Sequence, residues 1–154
     1  MTPIITQNPG QTRQIGFKLA KYLKSGDILA LIGDLGGGKT TFLQGLGQGL
    51  GVKQKVLSPS FLQLKVYPTG KKGVKYLYHF DFYRLTNFSA MEYKGLTEYL
   101  NTKNCLVVIE WANRIKKFLP KNTKYIYFTF LDKNKRRLLF KHFKKEDLKF
   151  LSSL

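Results

Sequence analysis

The chain has 154 residues, 43% of them hydrophobic and 14% aromatic, enough apolar material for a packed core and too much for a disordered tail. Its 27 Lys and Arg against 9 Asp and Glu leave a formal charge of +18, which favours anionic partners and speeds their encounter. No apolar run approaches the roughly 20 residues of a membrane-spanning helix, no basic-then-apolar leader opens the sequence, and the lone Cys105 cannot close an internal disulfide; the expectation is a soluble, cytoplasmic protein with one domain over 1–154.

In chain order, Met1–Thr6 reads as a short edge strand and Asn8-Pro9-Gly10 as a turn or helix start. From Thr12 onward, Ile15, Leu19 and Leu23 recur at helical spacing until Ser25-Gly26-Asp27. Ile28–Ile32 is continuously apolar, as a strand buried on both faces must be. A glycine-rich stretch, 33–40, leads into a helix to Leu50, with Phe42, Leu46 and Leu50 on one stripe and Gly51 as its stop. A loop at 56–61 precedes a strand near Leu62–Tyr67, a polar turn at 68–73 and a hairpin partner over Val74–Asp81. Short helices follow over Ala90–Leu100, then a second buried strand, Leu106–Ile109, ending at Glu110. Trp111–Phe118 reads as helix, and Tyr125–Leu131 and Arg137–Phe143 as strands joined by the turn 132–135. Strands alternating with helices, two of the strands purely apolar, imply an α/β fold, three layers with a central mostly parallel sheet and antiparallel additions; the GxxxxGK[ST] pattern of residues 33–40 makes it a domain of the P-loop NTPase type.

The chemistry concentrates in Gly33-Asp34-Leu35-Gly36-Gly37-Gly38-Lys39-Thr40, a full match to GxxxxGK[ST]. Glycines let the backbone curl so that successive N–H groups face phosphate oxygens. The helix opening at Lys39 aims its dipole and free amides at the same anion. The expected ligands are therefore ATP and Mg²⁺, with Gly33, Leu35, Gly36, Gly37, Gly38 and Thr41 at the phosphates, the Lys39 ammonium across the β and γ phosphates and the Thr40 hydroxyl on the metal. A second acid, at the end of a neighbouring buried strand, has to complete the Mg²⁺ site, and Glu110 is the first candidate, Asp81 the second. Ser58 and Ser60 could carry a hydroxyl to the γ-phosphate, although Ser-Pro-Ser is also an ordinary turn. His79 reads as a packed strand histidine rather than a catalytic one.

Four segments in this order, Gly-Asp-Leu-Gly-Gly-Gly-Lys-Thr-Thr (33–41), Ser-Pro-Ser-Phe (58–61), Tyr-His-Phe-Asp-Phe-Tyr-Arg-Leu (78–85) and Ile-Glu-Trp (109–111), resemble the TsaE family, and the likeness runs from about Thr12 to Arg136-Arg137. The resemblance implies the ATPase of bacterial tRNA threonylcarbamoyladenosine synthesis, which works with TsaB and TsaD as they modify adenosine 37 of tRNAs reading ANN codons. It implies hydrolysis of ATP while docked on that complex, with tRNA reached through the partners and no membrane involved. Carried over by position, Gly36–Lys39 hold the phosphates, Thr40 and Glu110 the Mg²⁺, and Asp81 is a second catalytic or metal-linked acid. Trp111 lies beside the site, Thr12 touches the nucleotide near its base, and one of Arg136 and Arg137 adds a contact. The chain departs from the family pattern at Gly37 (usually Ala), at Ser60 (usually Thr) and at Ala112-Asn113 (commonly Pro-Glu).

Two other readings use the same residues. A small-molecule kinase would need an acceptor pocket and an Arg-bearing lid, and the sequence has no long lid insertion. A basic nucleic-acid-binding module would account for the charge, thirteen Lys and Arg against three acids over Arg114–Lys149, but would leave the phosphate loop idle.

Overall fold

The computed structural model describes residues 2–57, 64–85 and 87–154. Its elements are β1 (Thr2–Thr6), α1 (Pro9–Leu19), β2 (Ile28–Ile32), α2 (Lys39–Gly49), β3 (Leu64–Pro68), β4 (Tyr76–Asp81), α3 (Ala90–Leu100), β5 (Cys105–Glu110), β6 (Lys124–Phe130) and β7 (Arg136–Lys141), with 3₁₀ turns after β5 and β7. One seven-stranded sheet has the order β1-β7-β6-β2-β5-β4-β3. The four central strands, β6, β2, β5 and β4, are mutually parallel, and β7, β1 and β3 add on antiparallel. The two apolar runs picked out in the sequence, β2 and β5, are thus neighbours at the centre, where both faces need apolar cover.

Alternation along those strands divides the core in two. Leu29 and Leu31 of β2, with Leu106 and Val108 of β5, meet α1 and α2 through Ile15, Leu19, Phe42 and Leu46. Ile28 and Ala30, with Val107 and Ile109, meet α3 and the turns after β5 through Leu96, Leu100, Ala112 and Ile115. The result is the expected helix–sheet–helix sandwich. The helices on the first face approach closely: a Cβ on Gly45 would fall 1.8 Å from the Arg13 carbonyl oxygen, and one on Gly16 would fall 2.1 Å from that of Phe42.

Several boundaries differ from the sequence reading. The first helix begins at Pro9, capped by the Asn8 side chain on the Gln11 amide, so Asn8-Pro9-Gly10 is its start. The segment 90–100 is one helix, capped by Ser89. Trp111–Phe118 is not an α-helix but two 3₁₀ turns, Ala112–Arg114 and Lys116–Phe118. Ala112, Ile115 and Phe118 face inward every third residue, a period that suits three residues per turn better than 3.6. The last strand is Arg136–Lys141, and a 3₁₀ segment over Lys145–Ser153, unforeseen in the sequence, packs Phe150 and Leu151 into the first core. Ser58, Ser60 and the expected strand start near Leu62 lie outside the described residues. Among the described residues, no helix is long and apolar enough to cross a membrane.

Candidate functional site

The parallel strands β2, β4 and β5 all end at the same edge of the sheet, which brings the glycine-rich loop, Asp81 and Glu110 together. Leaving β2, the backbone takes left-handed values at Gly36 and Gly38, φ 75° and 97°, and a Cβ on Gly33 would fall 2.4 Å from the Phe128 carbonyl oxygen. Gly38 is the N-cap of α2, no side chain caps the first amides, and the first turn carries no acid. Those N–H groups and the dipole behind them suit a phosphate chain. Leu35 stands on the crest of the loop, 67% exposed, Gly37 is buried beneath it, and Thr41 is half-buried in the first turn of the helix.

Lys39 is buried, and its ammonium donates to the Gly33 carbonyl and, at 2.8 Å, to the Asp34 carbonyl. It also lies 4.5 Å from the centroid of the Trp111 ring. Burial pulls its pKa below the ordinary lysine value, while the charges of Glu110, Asp34 and Asp81 oppose that shift. On the next residue, the Thr40 hydroxyl stands 3.4 Å from Glu110 Oε1. Glu110 is only 2% exposed. A hydroxyl and a carboxylate side by side form a hard-oxygen donor pair, the chemistry that Mg²⁺ accepts.

The second oxygen of Glu110 is held at 2.9 Å by His79 Nε2 from the neighbouring strand. The sequence reading placed His79 in the packing; it is buried, and it also fixes the rotamer of Glu110. Two signals could have found it: β4 alternation turns His79 inward, and parallel pairing of β4 with β5 brings it to the acid.

Asp81 is the register partner of Glu110, and its Oδ1 accepts from the Tyr83 amide at 2.9 Å. Burial raises its pKa above the usual carboxylate value, the Tyr83 N–H opposes this, and the Glu110 charge adds to the rise. A group with a raised folded-state pKa holds its proton longer folded than unfolded, so the protein loses stability as pH climbs through that raised value. Asp81→Asn should therefore melt higher than the wild type near neutral pH, with the advantage shrinking as the pH is lowered through the raised value toward 3.8. Thermal melts across that range check it; an Asn variant less stable at neutral pH would mean that the Tyr83 hydrogen bond outweighs the burial.

Trp111 follows Glu110 in a left-handed conformation, φ 57°, its ring tilted 44° against Tyr83 with centroids 4.9 Å apart and with the Arg114 guanidinium 5.8 Å from its ring. A non-glycine residue held there stores on the order of 1 kcal/mol or more of strain, as residues at functional sites often do. Because the Lys39 ammonium rests on this ring, any anion that draws Lys39 away should change tryptophan fluorescence. A titration with Mg-ADP followed both by calorimetry and by emission tests this; saturable heat with unchanged emission would separate Trp111 from Lys39.

The remaining expected residues divide. Thr12 is buried, its hydroxyl 2.8 Å from that of Thr6 and its methyl facing Gly38. Arg136 donates from Nε to the Gly36 carbonyl at 2.6 Å and from Nη1 to the Asp132 carbonyl at 2.7 Å, with its guanidinium stacked 4.5 Å over Phe130. Arg137 is exposed and alternates to the other face of β7. The structure thus brings Arg136 to the phosphate loop and leaves Arg137 away from it. The buried positions Leu138 and Phe140 already mark which face Arg136 shares.

A family model described as threonylcarbamoyl adenosine biosynthesis protein TsaE matches residues 6–138. The tRNA threonylcarbamoyladenosine biosynthesis protein TsaE of Bacillus subtilis is 41% identical over 136 residues, 88% of this chain and 82% of that protein. The protein of the same name from Nostoc is 32% identical over 89% of this chain and 83% of its own length. A crystal structure of Bacillus subtilis YdiB superposes with a TM-score of 0.75 at 32% identity, covering 99% of this chain and 92% of that one.

Proposed function

The chain belongs to the TsaE family of threonylcarbamoyladenosine biosynthesis proteins, and from that premise we propose that it is the Mg²⁺-dependent ATPase of this tRNA modification, acting on a complex of TsaB and TsaD. The observation that carries the reading is the approach of Thr40 Oγ1 to Glu110 Oε1 beside the buried Lys39, at the N-terminus of α2.

Each residue has a defined part. The α2 amides and the Lys39 ammonium take the negative charge of the phosphates, which is largest as the terminal phosphoryl group departs. Thr40 and Glu110 hold the cation, with Glu110 oriented by His79. Bound Mg²⁺ supplies charge neutralisation across the phosphates. Asp81, half-buried and raised in pKa, is a stronger proton acceptor than an exposed carboxylate and can orient water. Arg136 braces the loop from outside through the Gly36 carbonyl.

The deciding experiment measures phosphate release from ATP by the purified protein, with and without Mg²⁺, alone and with TsaB and TsaD. Release that needs Mg²⁺, falls in Glu110→Gln and rises with the partners is the expected result. A phosphorylated acceptor in place of free phosphate would make the protein a kinase. ATP-independent capture by TsaB and TsaD would detach the ATPase from assembly.

A further inference from the structure

A concavity of about 370 Å³ opens on the outer surface of α2, one turn beyond Thr40. Arg13 of α1, Gln44 and Gln48 of α2, and the segment 52–56 line it. Its cations, Arg13, Lys53 and Lys55, are exposed, and among the described residues no carboxylate forms an ion pair with any of them. Among the described residues no acidic side chain lines it. Like charges converging without a counter-charge are unfavourable for the folded chain alone, so the arrangement favours an external anion.

The basic C-terminal third differs. There Lys124 pairs with Asp27 at 2.6 Å, Lys116 donates to the Tyr127 hydroxyl at 3.0 Å, Arg114 donates to the Leu85 carbonyl at 3.1 Å, and Arg136 clasps the phosphate loop. Many of its cations are occupied within the fold, whereas those of the groove have no ion-pair partner among the described residues.

We propose that the Arg13–Lys53–Lys55 groove is a second anion site, separate from the glycine-rich loop, and that it takes the phosphodiester backbone of RNA. Three cations can each take a phosphate contact, and the amides of Gln44, Gln48 and Gln54 can donate to phosphate oxygens or exchange hydrogen bonds with ribose hydroxyls. Among the described residues no aromatic side chain lines the groove, so those residues offer charge and hydrogen bonds rather than a stacking platform for bases. An acidic protein segment is the rival occupant. RNA is favoured because the curated relatives are named for tRNA modification and because, among the described residues, the groove floor offers only Val52 and Val56, both buried, to a peptide's apolar side chains.

The test is a titration of the full chain with a labelled single-stranded RNA of mixed sequence, read by anisotropy over a salt series. The variant Arg13→Glu/Lys53→Glu/Lys55→Glu is compared with Lys103→Glu/Lys117→Glu/Lys121→Glu, an equal change of charge at exposed positions outside the groove. The groove triple should weaken binding about tenfold or more and flatten the log–log salt slope by about 2, at roughly 0.7 per lost single-strand phosphate contact. The control should change both far less. If the groove triple melts early, Lys55→Glu alone should flatten the slope by about 0.7. Equal losses in both triples would reduce the effect to net charge and overturn the proposal, as would absence of RNA binding. A groove triple that loses polyglutamate binding but keeps RNA binding would assign the groove to an acidic protein instead.

Discussion

Lys39→Ala should abolish ATP turnover while leaving the fold in place. The ammonium is the one side-chain cation buried inside the phosphate loop among the described residues. Loss of one preorganised charge at the site of developing negative charge typically slows the chemical step by about 10²–10³-fold, and a cation in a dry site reaches the upper part of that range. The fold has less at stake. Burial already disfavours the charged amine, so removing it relieves a desolvation penalty even as the hydrogen bonds to the Gly33 and Asp34 carbonyls disappear. The expected variant melts close to the wild type, hydrolyses ATP at background and has lost the cation that rests on Trp111. Turnover near the wild-type rate in a well-folded Lys39→Ala would end the phosphate-loop reading.

Gly45→Ala is expected to have the largest effect on stability, and its sign runs against helix propensity. In an open helix the change favours folding by about 1 kcal/mol. Here the new methyl would sit 1.8 Å from the Arg13 carbonyl oxygen and 2.7 Å from its carbon, both backbone atoms that no rotamer can move. α1 and α2 would have to separate, opening the core between Ile15, Phe42 and Leu46. Overpacking of this kind costs about 3 kcal/mol or more, roughly 6–12 °C in melting temperature for a chain of this size. Gly95, in α3, has nothing within 4 Å of its ideal Cβ, so Gly95→Ala should stabilise by up to about 1 kcal/mol. Thermal melts of the two variants side by side make the comparison; a Gly45→Ala protein as stable as Gly95→Ala would show that the helices do not touch as described.

What the sequence made legible follows from how strongly each feature constrains the residues. β2 and β5 stand out because a strand covered on both faces tolerates only apolar residues, and the phosphate loop stands out because its backbone demands glycine and lysine at fixed spacing. Glu110 follows from the end of β5. Less visible were features set by the packing of distant segments. Gly45 and Gly16 look like weak helix positions until α1 is laid across α2. His79 becomes the partner of Glu110 only once β4 lies beside β5. The 3₁₀ turns after Trp111 differ from the helix expected over Trp111–Phe118, because Ala112, Ile115 and Phe118 face inward at every third residue, a period a short segment barely separates from 3.6. The choice of Arg136 over Arg137 needed only the alternation of β7, which Leu138 and Phe140 already mark.

The place of β7, between β6 and β1, fixes when the molecule can be completed on the ribosome. Thr2 pairs with Phe140 and Thr6 with Arg136, so β1 cannot pair until β7, the last strand of the sheet, has been translated. At roughly 5–20 residues per second that wait is on the order of ten seconds, during which Ile4 and Ile5 have no strand to pair with. The same late strand delivers Arg136 to the Gly36 carbonyl. A nascent chain therefore carries the whole glycine-rich motif long before it can brace the outer wall of the loop, and closure of the sheet and bracing of the loop become a single late event.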